Sequence, residues 1–123
     1  EKYSMTIFVE KAKTWEVEED IVNAIEKVYA CELPDEVKHI VSCNGENRIS
    51  EFARVLSVEE ILSANEIMQI DFIGKKLVPI VDILDNDFIA FDIGQKKYVS
   101  INIVEDIVFD SSENIDDLIP QDI

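Results

Sequence analysis

Residues 77–104 read LVPIVDILDNDFIAFDIGQKKYVSINIV, and their spacing decides the fold. Leu77 to Val81 is a continuous apolar run, the pattern of a strand covered on both faces, and Pro79 restricts it to a sheet edge or a bulge. Asp85-Asn86-Asp87 is turn chemistry, Phe88 to Phe91 is a second covered strand, and the two pair as an antiparallel hairpin. Gly94 to Lys97 makes the next turn. Tyr98 to Val104 then alternates, which predicts Val99, Ile101 and Ile103 pointing inward and Ser100 and Asn102 outward. Ile107 to Phe109 adds a short strand, and Asn114 to Ile119 a last helical turn before Pro120.

Upstream of this meander the period is helical. Four acids between Glu16 and Asp20 sit where a helix dipole favours them, and Val17, Ile21, Ala24, Ile25 and Val28 recur at three- and four-residue steps, so a helix is predicted over 16–30. Pro34-Asp35-Glu36 starts a second helix over 34–43, with Val37, Ile40 and Val41 as its buried stripe and Asn44-Gly45 as its stop. Phe52 to Leu56 reads as a strand. Ser57-Val-Glu-Glu60 is a capping box that opens a third helix, about 58–68, with Val58, Ile61, Leu62 and Met68 inward. Ser4 to Val9 is β-branched and predicts a short strand at the start. Helices segregated from a run of adjacent strands predict an α+β fold: one domain over 1–123, an antiparallel sheet of four to six strands flanked by helices, in the order α-α-β-α-β-β-β.

Composition bounds the function. Eleven Lys and Arg against 27 Asp and Glu give a net charge of −16, while 47% of the chain is hydrophobic, so a core can form and disorder is not expected. The field of such a chain repels phosphate, which excludes nucleic acid and anionic membranes as partners and favours a basic protein; acidity also serves solubility alone. No apolar run is long enough for a membrane span, and Glu1 to Glu10 lacks the pattern of a signal peptide.

Catalytic groups are scarce. His39 is the single imidazole, and it falls mid-helix, where packing is the expected role. Cys31 and Cys43, both in segments read as helical, fit neither CxxC nor a zinc framework and are expected to be free, buried thiols of a reducing cytosol. Three glycines supply no phosphate loop, and Asp85-Asn86-Asp87 runs into Phe88 rather than the glycine of a calcium loop. No catalytic residue, cofactor or metal site is expected. Trp15 and Tyr98, at element edges, could anchor a partner but better suit the core.

Several of these residues resemble a known pattern in their joint order. Leu33-Pro34, the short helix and Asn44-Gly45 are followed by Ser57 to Ile61 with Asn65 downstream, then Val78-Pro79-Ile80 with Asp82, then Phe88 and Phe91-Asp92. Over about residues 17–119 this is similar to the SUKH superfamily, which joins fungal glucan-synthesis and cell-wall regulators with bacterial toxin-immunity proteins. The chain departs from the pattern at Val37 or His39, where an aromatic is usual, at Glu46 in place of a second glycine, and at a hairpin turn without glycine. The resemblance implies an α+β interaction domain without enzymatic activity. It suggests a cytoplasmic immunity protein, monomer or weak dimer, that binds a basic nuclease-type toxin, with a regulatory or scaffolding module as the alternative. Charge complementarity then nominates Asp82, Asp85, Asp87, Asp92, Glu105, Asp106 and Asp110 as partner contacts.

Overall fold

The computed structural model describes residues 7–46 and 48–120. Its elements are helices α1 (Ile7–Ala12), α2 (Glu19–Tyr29) and α3 (Asp35–Val41), strands β1 (Arg48–Ser50) and β2 (Ala53–Val55), helices α4 (Val58–Leu62), α5 (Ala64–Met68) and α6 (Phe72–Lys75), strands β3 (Leu77–Ile83), β4 (Asp87–Asp92), β5 (Lys97–Asn102) and β6 (Ile107–Ser112), and a 3₁₀ turn (Ile115–Asp117). The six strands lie in sequence order, every neighbouring pair antiparallel. The α+β expectation is met at its upper strand count.

The first expected strand is a correction. Residues 4–6 lie outside the described residues, but Ile7 to Val9 are helical. Both carboxylate oxygens of Asp116, from the far end of the chain, accept the free N–H groups of Phe8 and Val9 at 3.1 Å each. Phe8, Val9 and Ala12 are buried, and Phe8 meets Trp15 edge to face at 5.9 Å. Cap and packing are both tertiary, and they override a weak local β preference.

In α2 the buried stripe is Val22, Ile25 and Tyr29, rotated from the expected one, and Val28 is exposed. The Tyr29 hydroxyl explains the rotation: it donates to the Ile61 carbonyl of α4 at 2.7 Å, and burial pushes its pKa up. In α3, Val37, Ile40 and Val41 are fully buried as expected. Asn44 and Gly45 both take left-handed backbone, and a Cβ on Gly45 would lie 3.1 Å from the Ser57 backbone. Asn44 also joins the helices, its Oδ1 accepting the Val58 N–H at 2.7 Å. The capping box forms, with Glu60 Oε1 taking the Ser57 N–H at 2.8 Å and Ser57 Oγ taking the Glu60 N–H at 3.2 Å.

The expected third helix is broken at Ser63, whose backbone (φ −104°, ψ 15°) leaves helical geometry. Asn65 organises the link from α5 to α6. Its amide donates to Asp71 at 2.9 Å and its oxygen accepts the Ile73 N–H at 3.2 Å, while Asp71 caps α6 through Gly74. Those donors hold the Asp71 carboxyl below its ordinary pKa. Phe72 of α6 is fully buried.

In the sheet, Pro79 sits at a register shift in an interior strand, so of the two expected alternatives the bulge is the one used. The Ile80 carbonyl accepts the Leu56 N–H at 2.9 Å. Asp85 and Asn86 are both left-handed (φ 67° and 68°), which is how this hairpin turns without glycine. Ser100 is a second correction: expected outside, it is 4% exposed. Register puts it on one face with Val81, Ile89, Phe91 and Tyr98, and Tyr98 donates to Glu36 at 2.6 Å, so α3 meets this face at Tyr98. The opposite face is also buried at Ala90, Val99 and Ile101. Alternation fails as a guide where both faces are covered. Cys31 and Cys43 are free, the former half-buried and the latter buried, and both lie just past helix ends rather than within them.

Candidate protein-interaction surface

Strand register aligns Ile83, Asp87, Asn102 and Ile107 in one row, so the β3–β4 and β5–β6 turns emerge at the same end of the sheet. The backbone ties them together, because Ile103 N–H donates to the Asn86 carbonyl at 2.9 Å. Asn102 reinforces the corner. Its amide donates to Asp87 at 2.8 Å, and its oxygen accepts the N–H groups of Val104 and Glu105 at 3.1 and 3.0 Å. Asp85, Glu105 and Asp106 are exposed on this corner beside Leu84 (52% exposed) and Val104 (72%). Asp106 pairs with Lys75 of α6 at 3.2 Å.

The seven nominated acids therefore separate. Asp85, Asp87, Glu105 and Asp106 come together at one sheet end. Asp110 stands on β6, exposed, accepting the adjacent Ser111 N–H at 2.8 Å. Asp92 lies at the opposite end and closes the β4–β5 turn by taking the Gln95 N–H at 3.0 Å. Asp82 is half-buried against Arg54 at 3.2 Å, and the same guanidinium grips Glu60 with two bonds of 3.0 and 2.8 Å. That grip, more than burial opposes it, draws the Glu60 carboxyl down to about 2 and raises Arg54.

The sequence reading named acids and missed their apolar neighbours. Ile107, Val108 and Phe109 of β6 are 50%, 47% and 55% exposed. The signal available was an apolar triplet fenced by Glu105-Asp106 and Asp110, but a triplet of this kind reads equally as core until the layers are known. A mixture of half-exposed apolar side chains and exposed acids is the composition of a protein contact surface.

Elsewhere the structure offers less. Among the described residues, no group of three or more His, Cys, Asp or Glu is placed to hold a metal. His39 sets Nδ1 2.8 Å from the Trp15 carbonyl. An open cavity of about 400 Å³ between the α2–α3 loop and the β4–β5 turn is lined by Glu32, Leu33, Asp35, Lys38, Phe91 and Lys96 among others, a mixed-charge wall. Cys31 is nearby in sequence, and burial followed by Glu26 pushes its thiol up, which lowers its reactivity. Among the described residues, no helix is long and apolar enough to cross a membrane.

The family model of the SMI1 / KNR4 family (SUKH-1) matches residues 16–121. No curated protein and no solved structure matches the chain. The matched span runs from the start of α2 past the 3₁₀ turn and includes the whole sheet. Domains of this family are in general non-catalytic and bind proteins.

Proposed function

The chain belongs to the SMI1 / KNR4 family (SUKH-1), and from that premise we propose that it is a cytoplasmic immunity protein that neutralises a basic, nuclease-type toxin by stoichiometric binding. The observation that carries this reading is the corner where Asp85, Glu105 and Asp106 stand exposed beside Leu84 and Val104, on a chain of net charge −16. A nuclease must present positive surface to phosphate, so an acidic inhibitor is steered to the surface it has to cover. On this reading Asp85, Glu105, Asp106 and Asp110 are the contacts, while Asp82, Asp87 and Asp92 hold bonds inside the fold.

Co-expression tests it. Cells making a toxin encoded beside this gene survive when the chain is present, and the association rate of the two proteins falls as salt rises. Charge reversal of Asp85, Glu105 and Asp110 together reduces that rate without unfolding the chain. Survival that does not depend on this chain, or the absence of any toxin gene in its neighbourhood, rejects the reading.

A further inference from the structure

The two edges of the sheet differ. β1 is three residues long, whereas β6 runs for six, and among the described residues no strand pairs with its outer side. Among the described residues its outer N–H and C=O groups are therefore open to another strand, apart from the Ser111 N–H, which Asp110 takes at 2.8 Å. The layers that bury Ser100 and Ile101 in the adjacent β5 do not reach over β6, where Ile107 to Ser111 are all exposed. An edge of this length with half-exposed Ile, Val and Phe pairs with other chains unless something prevents it.

Here the prevention is selective. Residues 98–120 hold six acids and no lysine or arginine, with Glu105 and Asp106 in the turn just before β6 and Asp110 within it. A second copy would set the same acids against each other on two bodies of charge −16, so self-pairing is opposed. A basic strand meets the opposite field. Lys75 pairs with Asp106 at 3.2 Å. The register shift between Ser100 and Ile101 leaves Phe109 as an extra residue at mid-strand on β6, where it is 55% exposed.

We infer that β6 is the docking strand of this protein, and that it takes as a seventh strand an extended segment of a basic protein in which Lys or Arg alternates with apolar residues. This rests on the function proposed above and names its surface. Main-chain bonds along β6, the Ser111 N–H excepted, supply affinity, the side chains of Val108 and Phe109 supply apolar contact, and Glu105 and Asp110 select the sign of charge.

The probe is a capped hexapeptide alternating lysine and valine, with a glutamate–valine twin as control, titrated into the full chain while amide exchange is followed by NMR. At a concentration ten times its dissociation constant the lysine peptide slows exchange of outward amides in Ile107–Ser112 by about tenfold; the glutamate twin does not. Asp110→Lys and Phe109→Ser, both at exposed positions, each weaken the lysine peptide by about tenfold while the chain stays folded. Three outcomes overturn the inference: equal response to both peptides, perturbation centred on another surface such as the cavity near Glu32 and Asp35, or a dimer by sedimentation whose β6 amides are already protected. Toxin neutralisation with β6 unprotected rejects this inference alone, and β6 protection by the lysine peptide without toxin neutralisation rejects the proposed function alone.

Discussion

The dipeptide Phe-Asp occurs in two strands of this sheet, as Phe91-Asp92 in β4 and Phe109-Asp110 in β6, with opposite fates. Phe91 is 4% exposed, packed edge to face on Tyr98 at 5.7 Å, and Phe109 is 55% exposed with no ring beside it among the described residues. Local sequence does not separate them, since both strands are six residues long. Position does. β4 has a strand on each side, while β6 is the last strand. The hydrophobic effect acts on area removed from water, so the same side chain stabilises the fold in one place and leaves apolar surface for a partner in the other.

The contrast is tested hardest by Phe91→Ala, which removes a buried ring and leaves a cavity. It costs about 3–5 kcal/mol in urea unfolding, whereas Phe109→Ala stays within about 0.5 kcal/mol. A Phe109→Ala loss as large as that of Phe91→Ala would mean that β6 is core and not surface.

A pair of acids repeats the contrast at smaller scale. Asp116→Ala strips the N–H groups of Phe8 and Val9 of their acceptor and costs about 1.5–3 kcal/mol, while Asp110→Ala stays within about 0.5 kcal/mol. Loss of α1 protection in hydrogen exchange on Asp116→Ala checks that the carboxylate caps that helix.

Acid titration separates two carboxyls inside the fold. Glu60 is held down to about 2 chiefly by the Arg54 hydrogen bonds, so its contribution is present above the unfolded pKa and is lost as pH falls from about 4.3 through 2. Because the pair is partly solvent-exposed, that contribution is at most about 1 kcal/mol. The stability gap between the parent and Glu60→Gln therefore closes over this window. Asp116 has the opposite sign. Burial raises its pKa although Phe8 and Val9 oppose the rise, so the folded state holds the proton more tightly than the unfolded state and stability from this group increases as pH falls through the raised value. The defect of Asp116→Asn consequently grows on acidification, as denaturant midpoints across pH 2–7 would read out.

The mildest substitution lies at the corner turn. Val104→Ser, at a side chain 72% exposed, leaves stability within about 0.5 kcal/mol and reduces only partner binding. A matched pair of unfolding curves beside one binding titration checks both halves.

Much of the architecture was legible, because its signals are local. Ser57 and Glu60 are three residues apart and cap one helix end between them, and Asp85-Asn86 can adopt left-handed backbone without help from elsewhere. The misreadings share a cause of the other kind. Ile7 to Val9 are helical because Asp116, more than a hundred residues away, accepts the N–H groups of Phe8 and Val9, and α2 is rotated because Tyr29 reaches Ile61. Ser100 is buried because both faces of β5 are covered where it lies. Of the candidate site, the sequence pointed to the acids. It did not say that Asp85 and Glu105 share a corner, that Asp82 is held by Arg54, or that Ile107, Val108 and Phe109 stand in water.

Charge, apolar content, helix starts and stops, and the order of elements come from the chain alone, since each depends on neighbours within a few residues or on a simple count. Which Phe-Asp is core and which is surface was decided only by the tertiary structure, because burial is set by the number of layers over a strand, and that number belongs to the whole sheet rather than to any stretch of it.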